Sequence, residues 1–381
     1  MRPIVGWARP PISPYSDTMA GLSEYVWSVG PRREQTSEMG AFQAVVTTGI
    51  YCLPPCPGRP LSSNVRSFAS QAGAEAAGFR ACHRCRPYRA GRTPTSTSEL
   101  VCRAVDLIAE GALDVGNESA LAARLAVSER HLRRMFHEHL GATPDQLARS
   151  RRAHFARRLL DDTDLSITDI AFAAGFGSLR QFNRVMTATF RSAPYELRRR
   201  RRRADRLVVD GGLALRVPLT EPIDLDRRLA HLARAAIHGV ENVTPTLYRR
   251  TVTVDGDPGV IEISADGPTD ARLIAHLPRI EGLIHLVDRV QRFLGGRGWD
   301  PFEDGVRAIV SDRLGAAVAP AVLGDIVTDY GAPIAGLRQF GLGHLFPTPA
   351  ALASFRGASV DDGCARAIRD YSSQSGSDRP R

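Results

Sequence analysis

Four of the six cysteines fall into two close pairs. Cys52 and Cys56 are separated by three residues, Cys82 and Cys85 by two, and 25 residues lie between the pairs. Two such pairs joined by a short loop can converge on one tetrahedral centre, and four thiolates favour zinc. Most four-cysteine zinc sites only hold a small fold together, so the spacing by itself predicts a structural zinc site.

The residues around the cysteines indicate a chemical role as well. The segments TTGIYC, PPCPGRPL, NVRSF and AAGFRACHRCRP closely resemble the zinc domain of the Ada family of adaptive-response proteins. The resemblance implies that Cys52 is both a zinc ligand and the nucleophile that takes a methyl group, irreversibly, from a methylated DNA phosphate. It implies Cys56, Cys82 and Cys85 as the other ligands of Zn²⁺. The DNA contacts that it implies near the acceptor are Thr48, Arg59 and Arg84.

A zinc-bound cysteine suits this reaction because the thiolate is the nucleophile, and zinc keeps sulfur deprotonated at neutral pH. Four thiolates on one divalent cation leave about two negative charges, which repel DNA phosphate. Methylation turns one thiolate into a neutral thioether and removes one of these charges. We therefore expect DNA affinity to rise after the transfer, so that repair would act as a chemical switch.

The composition indicates several soluble domains and a polyanionic partner. The chain has 381 residues and a net charge of +9, and its 50 basic residues are all arginines. This length predicts about two to four domains. The absence of lysine excludes a lysine Schiff base and a lysine-dependent phosphate loop, whereas arginine serves phosphate and guanine contacts well. The sequence shows no apolar run of membrane-spanning length and no secretory signal, so we expect a cytoplasmic, nucleoid-associated protein without a membrane partner.

Two similar helical units follow Ser98. The stretches SALAARLAVSERHLRRMFHEHLGATP and SITDIAFAAGFGSLRQFNRVMTATFRSAP each predict a helix, a tight turn, a second helix, and then a small residue and Pro. Ser128 and Ser178 are the predicted N-caps of the two second helices, and a long helix over about 144–160 would connect the units. Two second helices with arginine on the outer face favour the DNA major groove over a merely solvated face. The residues predicted to face DNA are Arg130, His131, Arg133, Arg134, Arg180, Gln181 and Arg184.

This stretch resembles the DNA-binding domain of the AraC family through VSERHLRRMF, ITDIAFAAGF, FNRVMTATF and SAPYELR. The resemblance implies a monomer whose two recognition helices enter successive grooves of double-stranded DNA. Phosphate contacts would fix the register, and the side chains of Arg130, Arg134, Arg180 and Gln181 would read base edges. RNA polymerase is the expected partner of such an activator. The run Arg198–Arg203 predicts a solvated, flexible segment that adds salt-dependent, non-specific DNA affinity.

Beyond about residue 206, strand patterns alternate with helical ones. GVENVTPTLYRRTV and PGVIEI resemble the N-terminal sheet domain of the AlkA family of 3-methyladenine DNA glycosylases, and WDPFEDGVRAIVSDRL resembles the start of that family's helical domain. The glycosylases need a Leu-Pro-Gly-hydrophobic-Gly hairpin and a catalytic Asp shortly after it, and neither motif is present. Asp361, Asp362 and Asp370 do not stand in the required context. We therefore predict no glycosylase activity and a poorly packed or partner-dependent region after about residue 300.

These patterns predict a multidomain α+β chain. Its predicted parts are a disordered extension (1–21), a small α/β zinc module (22–88), a linker (89–97), an all-α AraC-like module with two helix-turn-helix units (98–203), an α+β sheet module like the AlkA N-terminal domain (206–295), an incomplete helical region (296–370) and a polar tail (371–381).

The preferred interpretation is an alkylation-responsive transcription activator that is also a single-turnover methylphosphotriester-DNA:protein-cysteine methyltransferase. One rival is a sequence-specific regulator with a structural zinc site and an unreactive Cys52. Val46 and Leu53 leave room for it, because the Ada family usually has a basic residue and an Arg at these positions. A second rival is a base-excision glycosylase, which the missing hairpin and Asp disfavour. A third is an eroded gene product whose C-terminal third does nothing.

Overall fold

A computed structural model describes residues 42–54, 56, 60–90, 98–114, 116–207, 211–219, 222–254, 256–357 and 360–377. The predicted disordered extension, the start of the zinc module up to residue 41 and residues 91–97 of the predicted linker lie outside these residues. Within them, no helix is both long and apolar enough to cross a membrane.

The strands, in chain order, are β1 (Phe42–Val45), β2 (Ile50–Cys52), β3 (Val65–Phe68), β4 (Arg80–Ala81), β5 (Leu213–Pro218), β6 (Glu241–Val243), β7 (Tyr248–Val254), β8 (Asp257–Ala265) and β9 (Asp270–His276). The helices are α1 (Gln71–Ala76), α2 (Glu99–Ala109), α3 (Glu118–Arg124), α4 (Glu129–Leu140), α5 (Pro144–Asp162), α6 (Ile167–Ala173), α7 (Leu179–Phe190), α8 (Pro194–Arg199), α9 (Leu225–Ala235), α10 (Leu283–Leu294), α11 (Pro301–Leu314), α12 (Ala319–Tyr330), α13 (Pro349–Leu352) and α14 (Asp362–Ser377).

A four-stranded sheet with the order β3-β1-β2-β4 forms the zinc module. Strand β1 pairs antiparallel with β2 and β3, whereas β4 runs parallel to β2. Parallel strands have their carboxyl ends at the same edge of a sheet. Cys52 at the end of β2 and Cys82 just after β4 therefore meet at one edge.

Helices α2 to α8 form the AraC-like module. Both predicted serine caps are present: the Ser128 hydroxyl accepts the N–H of His131 at 3.2 Å, and that of Ser178 accepts the N–H of Gln181 at 3.2 Å. These bonds satisfy backbone donors that a helix N-terminus leaves unpaired. The predicted connecting helix is α5, which begins with a capping box at Thr143 followed by a proline in the first helical turn.

The sheet module contains an antiparallel sheet in the order β5-β9-β8-β7-β6. Strand β9 buries every second residue, whereas β7 buries Tyr248 and the three consecutive residues Arg250, Thr251 and Val252. Helix α10 buries one face against this part of the core through residues that include Leu283, Leu286, Val287 and Val290. The alternation that predicted strands thus corresponds to one covered face.

The three modules share one hydrophobic core. A single cluster of buried side chains includes Tyr51 of the zinc module, Leu159 of α5 and Ile284 of α10. The ring of Tyr88, just after the zinc cysteines, meets the ring of Phe190 at the end of α7 edge-on, with centroids 5.9 Å apart. The described parts of the modules are therefore packed together rather than separate along the chain.

The arginine run is only partly solvated, since Arg199, Arg200 and Arg202 are exposed as predicted whereas Arg198 and Arg201 are half-buried. Arg198 and Arg199 end α8, and Arg198 donates to the Leu165 carbonyl at 2.6 Å. Arg201 donates to the Thr163 carbonyl at 3.0 Å. Carbonyls at the end of one helix and in the following loop lack backbone partners, so guanidinium donors fix the run to the AraC-like module.

The region after residue 300 is packed, so the prediction of a poorly packed region is wrong. Helices α11 to α14 enclose a core of their own, in which Val306, Val327, Phe355 and Ile368 are fully buried. The predicted polar tail is also wrong as far as residue 377, because α14 continues to Ser377. The helix presents Cys364, Ile368 and Ser372 on one buried stripe, which covers apolar faces that would otherwise meet water.

We expect Ile368→Ala to destabilise the C-terminal helical region by about 2–5 kcal/mol, because it removes buried methylene groups and leaves a cavity. Urea unfolding of the full chain, followed by circular dichroism, measures this. Asp370→Ala, at an exposed position of the same helix, is the control and should change stability little. Equal stability of both variants would show that α14 does not contribute to the core.

Candidate metal centre and nucleic-acid interface

The four predicted ligands converge. The Sγ atoms of Cys52, Cys56, Cys82 and Cys85 all lie within 4.8 Å of one another, and all four residues are half-buried. Of these, Cys52 and Cys82 are held by the sheet, since the Cys82 N–H donates to the Tyr51 carbonyl at 3.0 Å. The other two cysteines come from tight turns that follow the strands.

Backbone hydrogen bonds shape these turns. The N–H of Cys56 donates to the Leu53 carbonyl at 3.0 Å, and the N–H of Arg86 donates to the Cys82 carbonyl at 3.0 Å. The N–H of Arg84 points at the Cys82 sulfur, 3.4 Å away. Amides aimed at sulfur favour the thiolate form, which is the form that binds a metal.

The donor set fits a single tetrahedral ion. Ligand bonds of about 2.3 Å in a tetrahedron place sulfur atoms about 3.8 Å apart, within the observed range. Without a cation the thiols compete for protons. Hydrogen bonding from Cys52 lowers the pKa of the Cys85 thiol to about 5, and the same contact, together with burial, raises the pKa of Cys52. A divalent cation would remove this competition, because it stabilises all four thiolates at once.

Of the three DNA contacts predicted near Cys52, the structure describes Thr48 and Arg84. Thr48 is exposed in the turn between β1 and β2, where its hydroxyl donates to the Val45 carbonyl at 3.3 Å. Arg84 is exposed in the loop between the second pair of cysteines. Arg59 lies outside the described residues. Val46, where the Ada family usually has a basic residue, is 47% exposed in the same turn as Thr48.

Arginine charges from two modules surround the loop between Cys82 and Cys85. Burial lowers the pKa of His83, and the charges of Arg80, Arg157, Arg200 and Arg86 lower it further. Arg157 and Arg200 belong to the AraC-like module. Arg86 and Arg157 are already paired with Asp205 and Asp161, so the net positive charge near this loop comes from Arg80 and Arg200.

The recognition helices expose most of the predicted residues. On α4 and α7, Leu132, Phe136, Phe182 and Val185 face the core. The exposed side chains are Arg130, Arg133, Arg134, Arg180 and Arg184, while His131 and Gln181 are half-buried.

Arg133, one of the predicted DNA contacts, has a guanidinium that is already paired with carboxylates of its own module. It contacts buried Glu118 of α3 and lies 2.9 Å from Glu129 of its own helix. Glu118 also accepts the Asp145 N–H at 3.0 Å. This network holds α3, α4 and the start of α5 together, which is a role that the charge pattern of one helix did not predict.

A shallow groove along α7 contains the predicted residue Arg184 and four residues that the sequence did not indicate. It is lined by Asn183, Arg184, Thr187, Ala188 and Arg191. Helical spacing could have found them, since they lie three, four or seven residues from Arg180 and Arg184 on the same face.

Three hydrogen-bonded side chains connect strand β2 to the AraC-like module. The hydroxyl of Tyr51, the residue before Cys52, donates to Glu75 at 2.8 Å and lies 3.3 Å from His154 Nε2. The same Glu75 oxygen lies 2.6 Å from His154 Nε2 on α5. No local sequence pattern indicates this role of His154, because its partners are distant along the chain.

Comparison with known proteins gives three family matches. The Metal binding domain of Ada matches residues 26–88, the Helix-turn-helix domain matches 121–200, and the AlkA N-terminal domain matches 214–295.

Several relatives are described as bifunctional proteins. The probable bifunctional transcriptional activator/DNA repair enzyme AlkA of Mycobacterium tuberculosis is 34% identical over 345 residues, which cover 81% of this chain and 69% of that protein. The bifunctional transcriptional activator/DNA repair enzyme Ada of Escherichia coli is 36% identical over 136 residues, or 35% of this chain and 37% of that protein. The enzyme AdaA of Bacillus subtilis, of the same description, is 31% identical over 142 residues, or 37% of this chain and 66% of that protein.

The resemblances to Ada, AraC and AlkA proteins are thus confirmed, and the chain belongs to the family of bifunctional transcriptional activator/DNA repair proteins, with an Ada-type metal-binding domain, an AraC-type DNA-binding domain and an AlkA-type sheet domain.

Proposed function

We propose that this protein transfers a methyl group from a DNA methylphosphotriester to Cys52, once per molecule, and becomes a stronger activator by doing so. The observation that carries the proposal is the convergence of four sulfur atoms within 4.8 Å on a sheet edge packed against the DNA-binding module. Zinc is the proposed ion, because it prefers four thiolates in a tetrahedron. When bound, zinc would supply the positive charge that keeps the sulfurs deprotonated at neutral pH.

The transfer is a direct displacement. The Cys52 Sγ lone pair attacks the methyl carbon, the S–C bond forms and the C–O bond to the phosphate breaks. The oxygen keeps the bonding electrons, so the triester returns to an anionic diester and Cys52 becomes a thioether. Thr48, Arg59 and Arg84 are proposed to hold the phosphate, and Arg84 is exposed in the ligand loop as this role requires.

The switch follows from charge. The reaction removes one negative charge from the cluster while the surrounding arginines remain. One charge about 8 Å from a phosphate, at an effective dielectric constant of 20–80, contributes about 0.5–2 kcal/mol. DNA affinity should therefore rise by between about twofold and thirtyfold.

In the proposed activator, α4 and α7 enter successive grooves of one duplex and contacts with RNA polymerase at the promoter raise transcription. The protein would then act at the nucleoid. The alternative function is a DNA-binding regulator whose cysteine site is only structural. Val46 and Leu53 favour it, because the Ada family usually has basic residues at these positions, and Leu53 instead packs against the core.

Zinc-loaded protein incubated with methylphosphotriester DNA should gain roughly 14 Da on the Cys52 peptide, one methyl in place of one hydrogen, and should then bind promoter DNA more tightly. Peptide mass spectrometry and a binding titration measure the two effects. Cys102→Ala, which lies outside the cluster, should react like the unaltered protein. If zinc is retained and no methyl appears on Cys52, the site is a structural one and the regulator without repair chemistry is correct.

Arg180→Ala should weaken operator binding by about 1–3 kcal/mol and relax the preference for the base that it contacts, because a bidentate base contact is lost. Arg227→Ala, on the exposed surface of α9, is the matched control for the loss of one positive charge. Binding selections on randomised duplexes compare both variants with the unaltered protein. If both variants lose the same amount of DNA affinity, Arg180 contributes only non-specific charge attraction.

Purified protein should not excise 3-methyladenine from alkylated DNA. The Leu-Pro-Gly-hydrophobic-Gly hairpin and the Asp that should follow it are absent from the 381 residues, and Asp361 is used to accept the N–H of Cys364 at 2.6 Å near the start of α14. Release of free base, measured by chromatography, would overturn this.

A further inference from the structure

Two adjacent carboxylates at the end of α5 form the junction of all three modules. Asp161 and Asp162 are 0% and 1% exposed. Arginines from the zinc module, from α5 itself and from strand β5 of the sheet module are directed at them. Buried carboxylates are stable as anions only when such partners are present, so the junction is complete only when the three modules are docked.

The zinc module contributes its share directly after the last ligand. Arg89 Nη2 lies 2.7 Å from Asp162 Oδ1 and 3.2 Å from Asp161 Oδ2. The hydroxyl of Tyr88 donates to Asp161 Oδ2 at 3.2 Å. The side chain of Arg86, the residue after Cys85, donates to Asp205 at 2.7 Å. The segment that ends the ligand loop is thus held by carboxylates of the neighbouring modules.

The sheet module holds the same carboxylates from the other side. The backbone N–H of Arg216 on β5 donates to Asp162 Oδ2 at 3.4 Å, and its guanidinium lies 3.8 Å from Asp162 Oδ1. The Leu207 N–H donates to the Asp162 carbonyl at 2.9 Å. Arg216 also donates to the Asp205 carbonyl at 2.8 Å. The connection from the AraC-like module into the sheet is therefore folded onto the end of α5.

We propose that the Asp161–Asp162 junction positions the methyl-acceptor module on the AraC-like module, and that completing this junction is the function of the AlkA-like sheet in this chain. The proposal rests on the proposed methyl transfer. A change of charge at Cys52 raises the affinity of α4 and α7 for their duplex only if the cluster is held at a fixed place beside them. A loose acceptor module would still be methylated, but it would not transmit the change.

The test compares three variants of the full chain. Asp162→Asn keeps the shape and removes the charge, and Arg216→Ala removes the guanidinium that the sheet module directs at Asp162 without altering α5. Asp164→Asn is the matched control, because this exposed carboxylate pairs with Arg201 and Arg206 and not with the zinc module. Circular dichroism checks that each variant folds. If Asp162→Asn does not fold, Arg216→Ala provides the test of the junction.

We expect all three variants to accept methyl from phosphotriester DNA at the rate of the unaltered protein. In Asp162→Asn and Arg216→Ala, methylation should leave operator affinity unchanged, a ratio of about one. In Asp164→Asn, methylation should raise operator affinity as much as in the unaltered protein. Before methylation, amide hydrogen exchange over residues 86–89 should be about tenfold faster in the first two variants only.

The outcomes separate the two proposals. If the unaltered protein accepts no methyl, the proposed function fails and hydrogen exchange alone decides whether the junction exists. If it accepts methyl and both junction variants keep the full gain in affinity, the junction has no positioning role. Unchanged exchange over residues 86–89 in both variants would also overturn the proposal.

Discussion

The structure depends on the burial of one charged helix. Helix α5 lies between the zinc module, both helix-turn-helix units and the sheet module, and most of its length is buried although it is rich in arginine and aspartate. A buried charge needs a partner with good geometry, and a helix buried on many sides can find such partners only on its neighbours. Arg152 binds the Leu113 carbonyl at 2.7 Å, and Arg151 pairs with Asp288 of α10. The modules are therefore held in place by the charges of the helix that they enclose.

The same constraint connects the metal site with the DNA-binding surface. The cysteine cluster forms at the edge of a small sheet. Tyr51 of that sheet contacts α5, and Tyr88, which follows the last cysteine, contacts α7. Arg157 and Arg200 of the AraC-like module add positive charge near the ligand loop. In the proposed function, the loss of one negative charge at the cluster would therefore weaken its repulsion of bound DNA without any large movement of the chain.

The helices after residue 300 are joined to the sheet module by buried ion pairs. Fully buried Arg250 of β7 lies 2.7 Å from Glu303 of α11, and its guanidinium stacks over the ring of Trp299, 4.2 Å from the centroid. Arg307 of α11 reaches back to Glu241 of β6 at 2.7 Å. These pairs fix the helices to the sheet, because breaking any one of them would leave an unpaired buried charge.

The sequence alone determined those features that depend on residues close together along the chain. The cysteine spacing predicted the four ligands, Ser128 and Ser178 predicted the starts of the recognition helices, and alternating apolar residues predicted the sheet. Tertiary structure decided which charged side chains are already paired within the protein. Arg133 is paired with Glu118, the arginine run is bonded to backbone carbonyls, and Asp161 and Asp162 join three modules. It also decided that α14 continues through residues 371–377 and buries Ser372. The physical reason is that a cap or a strand is specified by its immediate neighbours, whereas the burial and pairing of a charge depend on residues far away in the sequence.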